Sequence, residues 1–428
     1  MSDKQIWLIF LLIMVISCLI GIVIYLNLGW IFRYGVITQL KKIEYGRITI
    51  VDASKNAVIA DITGSQAKDL HVTIHVIDTE MFFKRLATDG DVGLGETYTE
   101  GVWDCNSLIS LMNILVMNAD FLVPKQNTYN VQVVSFNYDK EVVQHHYDVG
   151  NDFYESFLLD DMMAYSCGLF FCPKDTLNDA QYNKVHTIMR KLNINAENLD
   201  ILDIGCGWGG IPAYMHKMTN SNMYGLTISK EQVDFITENV STVRPIFGHY
   251  KDIQKEGIMF DRIYSIGLFE HVRCSNYDTF FASVKSVMKP GARFLLHTIS
   301  TNRDDTLCST GSTVIFTTKH IFPGGQIPKI EWVLAAAARN GLQLVHLETF
   351  GGHHYAKTLR AWRENMLKSK DKILGMGYGI KHIKAYEYYF AQCEAAFINN
   401  QMQLSQYVFD NTLDNSHVYE HDVFGRCS

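Results

Sequence analysis

Two stretches of the sequence carry residue types suited to chemistry, MAYSCGLFF at 163–171 and DIGCGWGG at 203–210. In the first, Cys167 stands in an apolar and aromatic run. Its type alone fits a nucleophile, a metal ligand, or a small residue that lets the backbone approach a ligand. In the second, glycines follow an apolar strand and open a helix, where they allow a tight turn and expose backbone amides. The second stretch therefore predicts a binding loop for a cofactor.

The spacing of the glycines narrows the choice of cofactor. A dinucleotide-binding fold also places a glycine-rich turn after a strand. Here the pattern G-x-G-x-G-G, with Asp203 two residues before the first glycine, looks like the first motif of S-adenosylmethionine-dependent methyltransferases. The next strand ends in GLTISKEQ, where neutral hydrogen-bonding groups replace the acidic residue of many nucleotide-binding folds. The alternative is a packing turn that binds no ligand.

The elements that position these stretches follow from the pattern after residue 175. Short apolar strands such as LDILDIG, NMYGLTI, FDRIYSIG, RFLLHTI and LQLVHLETF are separated by helical segments. Strands that alternate with helices predict a parallel, doubly wound sheet covered on both faces. Ligands of such sheets bind beyond the carboxyl ends of the strands, so residues just after each strand are the functional candidates.

The first third of the chain has a different pattern. The runs RITIVD, AVIADI and LHVTIHVID predict strands, whereas TEMFFKRLATDG and CNSLISLMNILVMNAD predict helices. GDVGLGETYTEGVWD, which lies between the two helices, is interpreted as loop. The polar stretch at 125–140 has the composition of a linker and places a boundary near residue 135. We therefore expect a small α+β domain at 34–135 and a larger domain at 136–428.

The N-terminus predicts a membrane anchor at 1–33. From Ile6 to Leu26 the chain has 21 residues without a charge, which matches a bilayer core of roughly 30 Å. A cleaved signal peptide and an interfacial helix are the alternatives. Arginines and lysines follow the span, at positions 33, 41, 42 and 47. The positive-inside rule then predicts a single-pass membrane protein whose catalytic domain faces the cytoplasm.

Composition excludes some classes of protein. The formal charge of −7 provides no basic field for nucleic acid. The nine cysteines show no CxxC pair or regular spacing, so we expect no metal site, no disulfide framework and a reducing compartment.

Taken together, nine segments resemble the cyclopropane-fatty-acyl-phospholipid synthases and the mycolic acid cyclopropane synthases. They occur in the family's order between about 145 and 410: HYDVGNDFYESFL, MAYSCGLF, ILDIGCGWGG, GLTISKEQ, GLFEHV, NYDTFF, FLLHTI, IFPGG and YAKTLRAW. GLGETYTEGVWDC resembles the family's N-terminal domain. The resemblance implies a Rossmann-like class I S-adenosylmethionine methyltransferase sheet with a helical lid. It also implies transfer of a methyl(ene) group to the double bond of an unsaturated acyl chain in a membrane phospholipid, which forms a cyclopropane.

The same resemblance implies a bound bicarbonate as base. It would be held by Glu270, His297 and Tyr355 and by the backbone amides of Cys167 and Ile299. Cys393 matches a further active-site candidate of the family, although a buried small residue explains it equally well. The residues expected at S-adenosylmethionine are Tyr165, Ser166, Asp203, Gly205, Cys206, Gly207, Gly209, Thr227, Ser229, Gln232, Tyr250 and Lys251.

Departures from the family pattern keep other functions open. Arg273 and Cys274 replace a glycine after FEHV, and the stretch 302–319 is longer than usual and lacks a tryptophan. The alternatives are a lipid methyl-branching enzyme, a small-molecule N-methyltransferase, and a non-catalytic, membrane-tethered lipid-binding protein. The N-methyltransferases of the plant alkaloid type lack the GLGETYTEG domain, which counts against them. The oligomeric state is left open, with a homodimer as one alternative.

Overall fold

The computed structural model describes residues 14, 29–122, 150–194, 198–301 and 315–412. The chain divides into two compact units, Met1–Asn127 and Thr128–Ser428. The domain boundary expected near residue 135 lies outside the described residues and stays a prediction.

The anchor expected at 1–33 is also largely beyond the described part of the chain. Of the apolar run, only Met14 is described. In the ranges given above, no helix combines the length and the apolar composition needed to cross a membrane. The anchor therefore stays a prediction.

The first unit contains a four-stranded sheet, with one helix before the first strand and further helices after the third strand and after the fourth. Its elements are α1 (29–40), β1 (Tyr45–Asp52), β2 (Ala57–Thr63), β3 (Gln66–Val76), α2 (Thr79–Thr99), β4 (Trp103–Cys105), α3 (Leu108–Met117) and α4 (Ala119–Leu122). The strand order is β2-β1-β3-β4, and only β1 and β3 run parallel. Alternate residues of β1, including Ile48 and Ile50, are buried, as strand periodicity requires.

The prediction of a loop at GDVGLGETYTEGVWD, residues 90–104, is wrong for most of this segment. Helix α2 continues through it to Thr99, with a break at Gly90, whose φ is 55°. Leu94 and Tyr98, one helical turn apart, are buried, and the indole N–H of Trp103 donates to the Leu94 carbonyl at 3.1 Å. This packing outweighs the low helix propensity of the glycines.

The second unit is built on a seven-stranded sheet. Its elements are α5 (Asn151–Leu158), α6 (Leu177–Lys191), β5 (Asp200–Ile204), α7 (Gly210–Thr219), β6 (Asn222–Thr227), α8 (Lys230–Asn239), β7 (Val243–Phe247), β8 (Phe260–Ile266), α9 (Tyr277–Ser286), β9 (Met288–Ser300), α10 (Ile315–His320), α11 (Ile330–Arg339), β10 (Gln343–Phe350), α12 (His353–Lys368), α13 (Lys370–Gly375), α14 (Ile380–Ile398) and β11 (Gln403–Asp410).

This sheet is mixed and not wholly parallel, which corrects the expectation from the sequence. The strand order is β10-β11-β9-β8-β5-β6-β7, and β11 lies antiparallel to both of its neighbours. Almost every residue of β11 is buried. The run QLSQYVFD interleaves polar residues with apolar ones and follows a long helix closely, so local pattern alone did not identify it as a central strand.

Helices cover the sheet on both sides, and further helices pack together beside it. Helices α5, α12, α13 and α14 share an apolar cluster that includes Phe153, Phe157, Trp362 and Phe390, all fully buried. Phe153, Tyr154 and Phe157, which precede the glycine loop, therefore belong to the core of these helices.

The cysteines differ from expectation at two positions. Cys172 and Cys274 are each disulfide-bonded, whereas the sequence predicted no disulfide framework. Cys105, Cys167, Cys206 and Cys393 are free thiols.

Candidate active site

The loop between β5 and α7 has the backbone that its glycines predict. Gly205, Gly207 and Gly209 have φ of 87°, 56° and 81°, in the left-handed region that favours glycine. A Cβ on Gly205 would lie 2.6 Å from the Leu268 side chain, whereas one on Gly207 would meet nothing within 4 Å. Packing against Leu268 therefore requires a glycine at position 205. At Gly207 the backbone borders open space.

This loop forms one wall of a cleft, which we call the glycine-loop cleft. Ten of the twelve residues expected at the cofactor line it: Tyr165, Ser166, Asp203, Gly205, Cys206, Gly207, Thr227, Ser229, Gln232 and Tyr250. Gly209 instead faces Ile236, and the Lys251 ammonium lies 5.8 Å from the centre of the Tyr250 ring.

The sequence interpretation missed several residues of this cleft. His249, Leu268 and His271 also line it. Each follows the end of β7 or β8 by a few residues, so the rule that ligands bind at carboxyl ends of strands would have found them.

Buried polar groups lie along the floor of the glycine-loop cleft. Asp203 is buried, and its Oδ1 has no hydrogen-bond partner among the described residues. Burial raises the pKa of Asp203 to about 8. The buried Lys184 ammonium donates to Ser166 Oγ at 2.7 Å. An unpartnered buried oxygen is unusual in a protein core and marks a place where a ligand group can donate.

A second space, which we call the aromatic cavity, adjoins this cleft. Four residues expected near the reacting atoms line it, namely Glu270, Ile299, Tyr355 and Cys393. The rings of Tyr165, Phe322, Tyr355, Tyr389 and Phe397 also line it. Tyr165, Gly267 and His271 belong to the walls of both spaces. The fold therefore brings these four sequence-predicted residues to the aromatic cavity, which meets the glycine-loop cleft at the shared residues.

Glu270 stands on a short 3-10 helix, Phe269–His271, directly after β8. Its Oε1 accepts a hydrogen bond from the Ile299 amide at 2.7 Å, and its buried Oε2 has no partner within the described ranges. Burial raises the pKa of Glu270 to about 7, although the Ile299 amide lowers it. The Ile299 amide, which was expected to hold an anion, holds the Glu270 carboxyl in this structure.

The unusual residues after FEHV are accommodated by the segment IFPGGQ. The Gln326 amide donates to the Glu270 carbonyl at 2.8 Å, and the Gln326 side-chain oxygen accepts from the Cys274 amide at 3.0 Å. The loop that carries Arg273 and Cys274 is therefore fixed next to Glu270. Most of the longer stretch 302–319 lies outside the described residues.

His297 lies on β9, two residues before Ile299, so both face the same side of the sheet. It is 1% exposed and lines neither space directly. Its Nδ1 lies 3.0 Å from Gln406 Nε2, and its Nε2 has no partner in the part of the chain described. Burial and two nearby lysines hold the pKa of His297 well below its ordinary value. The imidazole is therefore neutral at pH 7.

Cys167 is buried in a small apolar cluster with Leu169, Phe350 and Leu404, next to Tyr355. Its thiol donates to the Gly168 carbonyl at 3.2 Å. Burial raises the pKa of Cys167 to about 12, so a thiolate nucleophile does not form at neutral pH. Of the three interpretations of Cys167, the small packing residue fits best, and the role of its backbone amide stays a prediction.

Replacing Cys167 by alanine should leave activity almost unchanged. The change keeps the backbone amide and removes one buried sulfur, so we expect kcat/KM within about threefold of wild type and a loss of stability of about 1 kcal/mol. Steady-state kinetics and urea denaturation measure the two effects. A loss of activity greater than a hundredfold would show that the thiol itself takes part in the reaction.

The raised pKa of Glu270 predicts a pH-dependent difference in stability. Its folded-state pKa of about 7 exceeds its ordinary value of 4.5, so the folded state binds more protons between these values. The wild type therefore loses stability from this group as the pH rises through that window. Glu270→Gln should gain stability relative to wild type by on the order of 3 kcal/mol between pH 4 and pH 8. Urea denaturation at both pH values tests this, and a constant difference would contradict it.

Comparisons with known proteins agree with this geometry. A family model described as mycolic acid cyclopropane synthetase matches residues 135–407. The cyclopropane-fatty-acyl-phospholipid synthase of Escherichia coli (strain K12) is 33% identical over 365 residues, which cover 83% of this chain and 91% of that protein. Cyclopropane mycolic acid synthase 1 of Mycobacterium tuberculosis (strain H37Rv) is 31% identical over 261 residues, covering 58% and 88%.

Solved structures show the same fold. The cyclopropane synthase MmaA2 from Mycobacterium tuberculosis matches with a TM-score of 0.57 and 30% identity, over 63% of this chain and 97% of that one. The mycolic acid cyclopropane synthase CmaA1, complexed with SAH and CTAB, matches with a TM-score of 0.57 and 28% identity over the same shares. Because the family model covers more than half of the chain, this protein belongs to the mycolic acid cyclopropane synthetase family, whose members are S-adenosylmethionine-dependent methyltransferases.

Proposed function

We propose that this enzyme transfers a methylene unit from S-adenosylmethionine to the double bond of an unsaturated acyl chain in a phospholipid, forming a cyclopropane. The observation that carries the proposal is the junction of the two spaces. The glycine-loop cleft and the aromatic cavity share Tyr165, Gly267 and His271, and Glu270 lines the aromatic cavity at that junction. A donor in the cleft and an acyl chain in the cavity would meet there.

The glycine-loop cleft fits the methyl donor. The donor supplies an electrophilic methyl group on a sulfonium. Asp203 offers an unpartnered buried oxygen to its amino-acid end, and Gly207 leaves open space on the loop. Thr227 and Gln232, which share a hydrogen bond of 2.6 Å, offer neutral polar groups nearby. These residues bind and orient the donor, which lowers the barrier by fixing the geometry of attack.

The aromatic cavity fits the acyl chain and the positive charge that develops on it. An alkene has no lone pair, so attack on the methyl group leaves a carbocation on the chain. The rings of Tyr165, Tyr389 and Phe322 exclude water, and their faces attract a cation. The Tyr165 hydroxyl donates to Tyr389 at 3.3 Å, and burial holds the pKa of Tyr165 well above its ordinary value. Both phenols therefore stay neutral.

Ring closure needs a base, and we propose a bound bicarbonate in that role. Glu270 Oε2 at the aromatic cavity and His297 Nε2 on β9 behind it are buried polar atoms without partners among the described residues. We propose that both bind the oxyanion. With a pKa of about 7, Glu270 is partly protonated at neutral pH and can donate a hydrogen bond to an anion. The phenol of Tyr355 lines the same cavity. These side chains would hold the base next to the carbon that loses a proton.

The membrane and the phospholipid belong to this proposal as well. The acyl chain is part of a bilayer lipid, and we propose that the apolar run 6–26 anchors the enzyme beside it, with the catalytic unit in the cytoplasm. A tether raises the local concentration of enzyme at its substrate. Separation of membranes from cytosol, followed by carbonate washing, tests the anchor independently of the reaction.

The reaction is tested by lipid analysis of cells that express the full chain with methyl-labelled methionine. We expect one unsaturated acyl chain to fall and a labelled chain, heavier by one methylene, to rise by the same amount. The Glu270→Gln variant serves as the control. Gas chromatography separates a cyclopropane from a methyl branch, and label in a small amine would indicate an N-methyltransferase. Unchanged lipids with folded, S-adenosylmethionine-binding protein would favour the non-catalytic alternative.

A further inference from the structure

Behind the proposed anion site, four polar side chains form a row, of which Lys191, Gln406 and His297 are buried and Glu348 is partly exposed. Glu348 on β10, Gln406 on β11 and His297 on β9 lie opposite one another in the strand register. The Lys191 ammonium, at the end of α6, contacts Glu348 Oε2 at 2.5 Å and Gln406 Oε1 at 2.6 Å. Gln406 Nε2 lies 3.0 Å from His297 Nδ1. The row ends at His297 Nε2, which is buried and without a partner among the described residues.

We propose that Lys191 and Gln406 are positioning residues that fix His297 as the tautomer with its proton on Nε2. This inference rests on the proposed function, because it assigns the role of His297 at that same site. His297 is then a hydrogen-bond donor to the anion and not a proton acceptor in the reaction.

The chemistry of the partners determines the direction of each hydrogen bond. A lysine ammonium has donors and no acceptor, so the atom of Gln406 that it contacts is the oxygen. The amide nitrogen of Gln406, which only donates, then points at His297 Nδ1. Nδ1 must therefore accept, and a neutral imidazole carries its single proton on the other nitrogen.

The surroundings of the row favour a charged Lys191 at one end and a neutral His297 at the other. Lys191 is fully buried, with the Phe350 ring 5.0 Å below its ammonium, and it is paired with Glu348. Lys184 and Lys191 both disfavour a second proton on His297. Glu270, the nearby acid described above, has an unpartnered oxygen of its own. The row thus supplies a neutral donor to a site that receives a negative charge.

Nuclear magnetic resonance of the full-length protein with ring-¹⁵N histidine tests the tautomer without any turnover. The His297 signals are assigned by their loss in His297→Asn. In wild type at pH 7 we expect protonated Nε2 and bare Nδ1. In Gln406→Glu the new carboxylate accepts from Nδ1, so the proton should move to Nδ1. Lys191→Met should leave a mixture of the two tautomers, because the amide of Gln406 is then free to turn.

The same variants have a kinetic consequence. Gln406→Glu should lose cyclopropane formation by about 10²–10⁴-fold, the scale of a misplaced imidazole proton elsewhere, while its Kd for S-adenosylmethionine stays within about twofold of wild type. The matched control is Gln403→Glu, the same change on the opposite face of β11, which should alter neither the tautomer nor the rate.

Two results would overturn the proposal. One is a wild-type His297 protonated on Nδ1, or on both nitrogens, at pH 7. The other is a folded Gln406→Glu protein that keeps the proton on Nε2. If the wild-type tautomer is as expected but no lipid product forms, the inferred tautomer stands and the proposed function fails. The wild-type spectrum gives an answer even where a variant does not fold.

Discussion

Glu270→Gln should lose lipid methylation by about 10²–10⁴-fold and still bind S-adenosylmethionine. The carboxyl lies at the junction of the two spaces, with one oxygen held by the Ile299 amide and the other unpartnered. Glutamine has nearly the same shape, so the Ile299 contact survives. Glutamine cannot change its protonation state, whereas Glu270, with a pKa of about 7, can donate a hydrogen bond to the anion and exchange a proton during the reaction. Product formation and calorimetric binding of the cofactor measure the two effects.

Glu364→Gln is the matched control for this prediction. Glu364 is an exposed glutamate on α12, so the same chemical change there should leave rate and binding as in wild type. If Glu270→Gln lost cofactor affinity as much as rate, Glu270 would be a cofactor ligand and the proposed role would be wrong. Full activity of Glu270→Gln would equally contradict the role.

Gly205→Ala should weaken S-adenosylmethionine binding by at least about tenfold. The residue has φ of 87°, and an added Cβ would lie 2.6 Å from Leu268 Cδ1. Leu268 lines the glycine-loop cleft, so relief of the clash moves either the loop or this side chain from its place at the cofactor. Calorimetric titration with S-adenosylmethionine measures the loss.

Gly257→Ala separates the clash from the backbone strain. Gly257 has φ of 67°, and a Cβ there would meet nothing within 4 Å. Both variants should lose about 1 kcal/mol of stability from the left-handed backbone, but only Gly205→Ala should lose cofactor affinity. Equal affinity in the two variants would show that the Leu268 contact has no part in holding the cleft open.

The sequence determined the local features of this site. A run of glycines with left-handed φ after a buried strand is encoded by the glycines themselves, because few other residues adopt that backbone. Residues placed just after a strand, such as Glu270, share an edge of the sheet in any doubly wound fold. The helices and most strands follow from apolar periodicity in the same way.

Only the tertiary structure decided the contacts between distant segments. The insertion of β11 between β9 and β10 aligns Gln406 with His297, which lies 109 residues away, and places it next to Lys191, which lies 215 residues away. It also turned out that the Ile299 amide holds Glu270 and that the two spaces share a wall at Tyr165. Strand register depends on which side chains pack across neighbouring strands. No local pattern in QLSQYVFD specifies that pairing. Local sequence patterns therefore predicted which residues belong to the site, whereas the packing of the sheet determined which residues they contact.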